Sequence, residues 1–156
     1  MTTAPRIYLD NAATTPMAAE VIDAMVPMMR EHYGNPSSTH AHGRKVRGII
    51  EEARGTVAKL LNCAPGEIFF TSGGTEADNL ALRGSVAKLG VQNIISSAIE
   101  HHAVLHTVEE LHHQQHIGLD FVQLDEKGHV NMAHLSQLLQ ERPHALVSLM
   151  HANNEI

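Results

Sequence analysis

Phe70-Thr71-Ser72-Gly73-Gly74-Thr75-Glu76-Ala77-Asp78-Asn79 sets the frame for the whole chain. Upstream of it, Glu67-Ile68-Phe69-Phe70-Thr71 reads as a buried strand, and downstream residues 76–89 read as a helix. The joint between them is built from small residues. Glycines there let the backbone approach an anion closely. The helix that follows offers free N–H groups and the positive end of its dipole. Thr75 adds a hydroxyl. Together these are the parts of a phosphate cradle. No Lys closes the loop, so it is not a Walker loop, and the glycine spacing is wrong for a dinucleotide fingerprint. A tight strand-to-helix turn with Thr75 as the helix cap accounts for the same residues.

Outward from this segment the same alternation continues. Helices are expected over 18–33, 43–61, 103–115 and 132–140, and strands over 93–97, 121–124 and 145–150, with a short strand at Ile7-Tyr8-Leu9. In the first helix Val21, Ile22, Met25, Met28 and Met29 recur at helical spacing, and Pro27 is expected to kink or split it. Val46, Ile49, Ile50, Ala53, Val57 and Leu60 fall near one face of the second. Gly34-Asn35-Pro36-Ser37-Ser38 is a loop. Strands that alternate with helices of this length indicate an α/β fold of parallel βαβ units, which place ligands at the carboxyl ends of their strands.

Two more polar segments sit at such ends. His101 lies in Ile99-Glu100-His101-His102-Ala103-Val104-Leu105, after the strand at Ile94-Ile95-Ser96-Ser97. A histidine there can stack its flat ring on a cofactor and titrates near neutral pH. It can equally be a surface histidine at a helix start, one of 13 in the chain. Asn153 and Asn154 follow the last strand; an asparagine can donate to a ring oxygen, or simply make a strand-end turn. Three polar sites at the ends of three strands would line one rim of a sheet. Spacing does not name the cofactor.

Composition narrows the partners. The 156 residues suffice for a single-domain core, and 43% are hydrophobic, but only 3% are aromatic, so the core relies on aliphatic residues and Met. The formal charge of −6 argues against nucleic acid and offers no polybasic membrane anchor. No apolar stretch is long enough to span a bilayer, and no secretory signal is visible. A lone cysteine, Cys63, fits a reducing cytoplasm and reads as a small buried hydrophobe. The tail His151-Ala152-Asn153-Asn154-Glu155-Ile156 follows a buried strand directly, and the chain is expected to be incomplete.

Five segments, in order, resemble the cysteine desulfurases of the NifS and IscS type. They are Ile7-Tyr8-Leu9-Asp10-Asn11-Ala12-Ala13-Thr14-Thr15-Pro16; Tyr33-Gly34-Asn35-Pro36-Ser37-Ser38 with His40 and Gly43; Thr71 to Asn79; Glu100 to Leu105; and the tail from His151. The resemblance implies a fold-type-I, class V aminotransferase architecture that binds pyridoxal 5'-phosphate. Its large domain would be a three-layer α/β/α sandwich on a mainly parallel sheet, incomplete at the C-terminus. Residues 1–15 would pack with the small domain, and 16–156 would form the first part of the large one. Gly74 and Thr75 would hold the cofactor phosphate, catalytic His101 would stack on the ring and move protons, and Asn154 would bond near the ring hydroxyl. The implied reaction removes sulfur from L-cysteine, leaving L-alanine and an enzyme persulfide for a sulfur acceptor or scaffold protein. The implied assembly is a homodimer in the cytoplasm.

The pattern is broken in one way. The lysines, Lys45, Lys59, Lys88 and Lys127, all lie outside a matching Schiff-base motif, and Cys63 lies far upstream of the family's nucleophile. The chain alone is therefore expected to be inactive. Other readings remain open. An aminotransferase or a selenocysteine lyase of the same class would share these segments. His102 and His106, with His112, His113 and His116 beyond, could instead form a metal-binding helix face. A half-domain with an exposed sheet edge could be a non-enzymatic, association-prone product.

Overall fold

The computed structural model describes residues 6–155. The chain forms two compact units, Met1–Phe70 and Thr71–Ile156, each taken in turn.

The first unit holds two helices, α1 (Ala19–Glu31) and α2 (Ala41–Leu61), and a short 3-10 turn at Pro65–Glu67. α1 runs unbroken through Pro27, so the expected split does not occur. Its helical spacing is as read, but Val21, Ile22, Met25, Met28 and Met29 are all exposed and the helix buries no residue. α2 starts two residues before the expected Gly43 because His40 caps it, its Nδ1 accepting from the Gly43 amide at 3.3 Å. Gly43 is itself dictated by packing. A Cβ there would lie 2.5 Å from the carbonyl oxygens of Asn35 and Ser38, in the loop folded against it. α2 ends at Asn62 in the left-handed region, and the Cys63 amide bonds back to the Ala58 carbonyl at 3.0 Å. Cys63 is half-buried rather than buried.

Two expected strands in this unit are absent. Ile7, Tyr8 and Leu9 form no ladder and stand 79%, 53% and 85% exposed. Residues 67–71 form no strand either, and Phe69 and Phe70 are exposed. Ile68 has an extended backbone, but an extended segment becomes a strand only when a neighbour supplies the other half of the hydrogen bonds. Arg54 instead spends an Nη1 proton on the Ile68 carbonyl and lies 5.0 Å from the Phe70 ring centre.

The second unit contains α3 (Gly74–Leu89), β1 (Asn93–Ser96), α4 (His102–Gln115), β2 (Gly118–Phe121), α5 (Met132–Glu141) and β3 (Leu146–Val147). All strand pairs are parallel, in the order β2-β1-β3, with Ile94 opposite Leu119 and Leu146, and Ile95 opposite Asp120 and Val147. Strand residues alternate between faces. Ile94 accordingly packs with Leu82 of α3 and Val104, Val108 and Leu111 of α4. Ile95 packs on the opposite side with Val122 and with Leu135 and Leu138 of α5. The result is three layers, α/β/α. Both isoleucines are 0% exposed, each contributing about 1.5–3 kcal/mol of burial.

β2 begins three residues earlier than expected. Gly118, a poor strand former, leaves room for the Asn93 side chain, whose Oδ1 a Cβ would meet at 2.1 Å and push aside. After Val122, whose amide still bonds Ser96, the chain leaves the sheet in a small hairpin closed by the Leu124–Val130 bridge. β3 is two residues long, not six.

Candidate cofactor site at the strand ends

β1 and β3 are neighbours, and the chain leaves both at their carboxyl ends. The Ser148 amide makes the last ladder bond, to Ile95 O at 2.9 Å. Beyond it, residues from the segments 98–102 and 150–155 wall a cleft of about 290 Å³, lined among others by His101, His102, Leu105, Met150, Asn153 and Asn154.

His101 is the N-cap of α4. Its Nδ1 accepts from the Ala103 amide at 3.0 Å. An accepting Nδ1 carries no proton, so the ring proton sits on Nε2, which has no partner among the described residues. The same bond fixes the plane of an otherwise exposed ring. The two asparagines separate cleanly. Asn153 spends its side chain internally, donating to Ile99 O at 2.9 Å and accepting from the Glu155 amide at 2.7 Å. Asn154 is exposed on the cleft, with no hydrogen bond among the described residues.

Gly74 and Thr75 open α3 and do not line the cleft. The cap residue is Gly73, not Thr75, and no side chain caps this helix. The first helical bond is Ala77 N to Gly73 O. Hence the amides of Gly74, Thr75 and Glu76 have no acceptor among the described residues. A Cβ at Gly73 or Gly74 would meet nothing within 4 Å. Glu76 turns its carboxylate back onto the Ser72 amide at 2.6 Å. That bond, with the Ser72 side chain, holds its pKa below the ordinary carboxylate value.

Asn79 ties the two helix starts together. Its Nδ2 donates to Thr75 O at 2.9 Å and reaches Ala103 O at 3.5 Å. Its Oδ1 accepts from Arg83 Nε and from Thr107 Oγ1, both at 2.9 Å. Thr107 is 3% exposed. This bridge between α3 and α4 had no visible signal in the sequence beyond its place in the loop motif. Arg83 also pairs with Glu110 at 2.5 Å, which lowers the Glu110 pKa.

His102 and His106 have ring centres 5.1 Å apart, but among the described residues no three His, Cys, Asp or Glu side chains gather to hold an ion. No helix is long and apolar enough to cross a membrane among the described residues.

Comparison with known proteins covers nearly the whole chain. Residues 7–156 match the model of the aminotransferase class-V family. A cysteine desulfurase IscS of Dictyoglomus turgidum is 45% identical over 154 residues, which are 96% of this chain and 38% of that protein. A putative cysteine desulfurase IscS 1 of Bacillus subtilis is 44% identical, over 97% of this chain and 40% of its own length. Among solved structures, a NifS-like protein superposes with a TM-score of 0.87 at 39% identity, covering 97% of this chain and 42% of that one. SspA in complex with cysteine gives 0.78 at 33% identity, covering 93% and 42%. The chain thus spans about 40% of the length of the curated relatives it matches.

Proposed function

Because the chain belongs to the aminotransferase class-V family, we propose that the complete protein is a cysteine desulfurase, taking sulfur from L-cysteine and leaving L-alanine and a persulfide for transfer. The family's cofactor is pyridoxal 5'-phosphate. The residues present fit it. Three unpaired amides at the uncapped start of α3, with open space before Gly73 and Gly74, suit a phosphate group. A ring held by a backbone bond and an unengaged amide on one cleft suit a flat, oxygen-bearing heterocycle.

In this reading Gly74 and Thr75 would hold the phosphate, His101 would stack on the ring, and Asn154 would bond near the ring hydroxyl. When bound, the cofactor supplies an electron sink for bond cleavage next to the amino group. The chain's own residues supply placement and proton handling. α3 contributes the positive end of its dipole. His101 presents Nε2–H as a donor that can pass a proton at the substrate, while Nδ1 stays engaged with Ala103. Leu105 and Met150 line the cleft with apolar surface that limits water. None of Lys45, Lys59, Lys88 and Lys127 lines this cleft. The covalent lysine and the nucleophilic cysteine are assigned to the part of the relatives' length that this chain does not span. By the same reading residues 1–15 pack with a small domain and 16–156 begin the large one. The complete protein is a cytoplasmic homodimer that hands sulfur to an acceptor or scaffold protein.

The observation that carries the proposal is the shared cleft of His101 and Asn154 next to a helix start tied to theirs through Asn79. The test uses the complete protein, purified with pyridoxal phosphate and given L-cysteine. Visible absorbance of bound cofactor and equal yields of alanine and transferred sulfur are expected. Amino transfer to a keto acid, turnover of selenocysteine alone, or no cofactor uptake would each sink it.

A further inference from the structure

We infer that Glu100 is the positioning residue that holds His101 and Asn154 on one cleft. The inference rests on the desulfurase reading only for what those two residues touch. The β1–β3 ladder stops at the Ser148–Ile95 bond. Past that point two hydrogen bonds among the described residues join the segment after β1 to the segment after β3. Glu100 Oε1 accepts from the Met150 amide at 2.8 Å, fifty residues away, and Asn153 donates to Ile99 O at 2.9 Å. Both anchors sit one or two residues before His101, and Asn153 directly precedes Asn154.

Glu100 is the stronger of the two braces. It is 9% exposed, a rare setting for a carboxylate. The same Oε1 also accepts from Ser97 Oγ at 2.7 Å, and Ser97 is 2% exposed. One oxygen therefore closes its own turn and reaches across to the next strand's exit. Its place just before the α4 cap puts the acid beside the positive end of that helix. Removing it leaves two donors without a partner in a nearly dry site, and the cheapest relief is for the two segments to part. Parting separates His101 from Asn154 and loosens the cap that orients the imidazole.

The experiment compares wild type, Glu100→Gln and Glu100→Ala in the complete protein. The readouts are peptide-level hydrogen exchange without cofactor and steady-state kinetics with it. In Glu100→Ala, peptides over 97–104 and 148–154 should exchange about tenfold faster while a peptide over α5 is unchanged. Its kcat should fall about 100-fold with little change in KM for L-cysteine, because the loss is one of placement. Glu100→Gln keeps an oxygen acceptor and should restore both exchange protection and turnover. Unchanged exchange in Glu100→Ala, equal loosening of α5, or a glutamine variant as slow as alanine overturns the inference. If the alanine variant does not fold, Glu100→Asp decides: its shorter arm should leave the Met150 amide without its acceptor and speed exchange of 148–154 while α5 is unchanged, and wild-type protection there overturns the inference. A wild type that turns over no cysteine would sink the desulfurase reading and leave the exchange result standing.

Discussion

His101 performs two jobs that substitutions can pull apart. One ring nitrogen caps α4, and the other is left for chemistry. Asparagine is as good a cap as any residue, so His101→Asn should keep the stability of the complete protein and lose most of its turnover. His101→Ala should lose turnover and also about 1 kcal/mol of stability. His102→Ala should change neither much, because that exposed ring has no hydrogen bond among the described residues. Thermal unfolding with cysteine turnover checks all three, and an active His101→Asn would remove the imidazole from the mechanism. Cys63→Ser should leave sulfur release nearly intact, since the thiol follows the end of α2 in the first unit. At this scale spacing pointed only to the Asn pair, and the choice of Asn154 within it came from the family resemblance. Only the bonds from Asn153 to Ile99 and Glu155 show that one amide is spent and its neighbour is free.

At the scale of elements, the bridge from Asn79 predicts a coupling between helix starts. Asn79→Ala cuts the bonds to Thr75 O and Thr107 Oγ1 at once and should cost about 1–3 kcal/mol of unfolding free energy. It should also weaken pyridoxal phosphate retention in the complete protein. Retention unchanged in a variant of lower stability would show that the bridge is not coupled to the cradle. Helix ends were legible to within about two residues because caps and apolar spacing are local signals. α5 starts at Met132 as read, where Asn131 caps it through the His134 amide at 3.1 Å. Strands were less legible, since a strand is defined by its neighbour. The apolar run at Phe69-Phe70 had every local sign of a strand and no ladder partner, while Gly118 had none of the signs and a perfect one.

Across the whole molecule, the two units differ in how well they cover their apolar residues. The second buries two aliphatic clusters on either side of its sheet. In the first, the Met-rich face of α1 and the pair Phe69 and Phe70 are open to solvent. The 156-residue chain on its own should therefore self-associate, as light scattering would register. A monomeric, sharply cooperative unfolding transition would contradict this. Acid should loosen the turn that leads into α3. The folded Glu76 carboxyl has a lowered pKa, so its contribution is full above the ordinary carboxylate range and fades as pH falls through the lowered value. Glu76→Gln should remove that part of the acid dependence, read as a flatter stability–pH curve.

The two clusters hang from adjacent positions, Ile94 and Ile95. Consecutive strand residues face opposite ways, so the adjacency of the two isoleucines inside β1 is what deals one to each cluster. A residue inserted between them would put both on one face and leave the other cluster without its strand residue, whereas an insertion in the connection at 90–92 can be absorbed by the loop. Extra residues should therefore be tolerated before β1 and strongly destabilise within it, as thermal unfolding of the two kinds of variant would register.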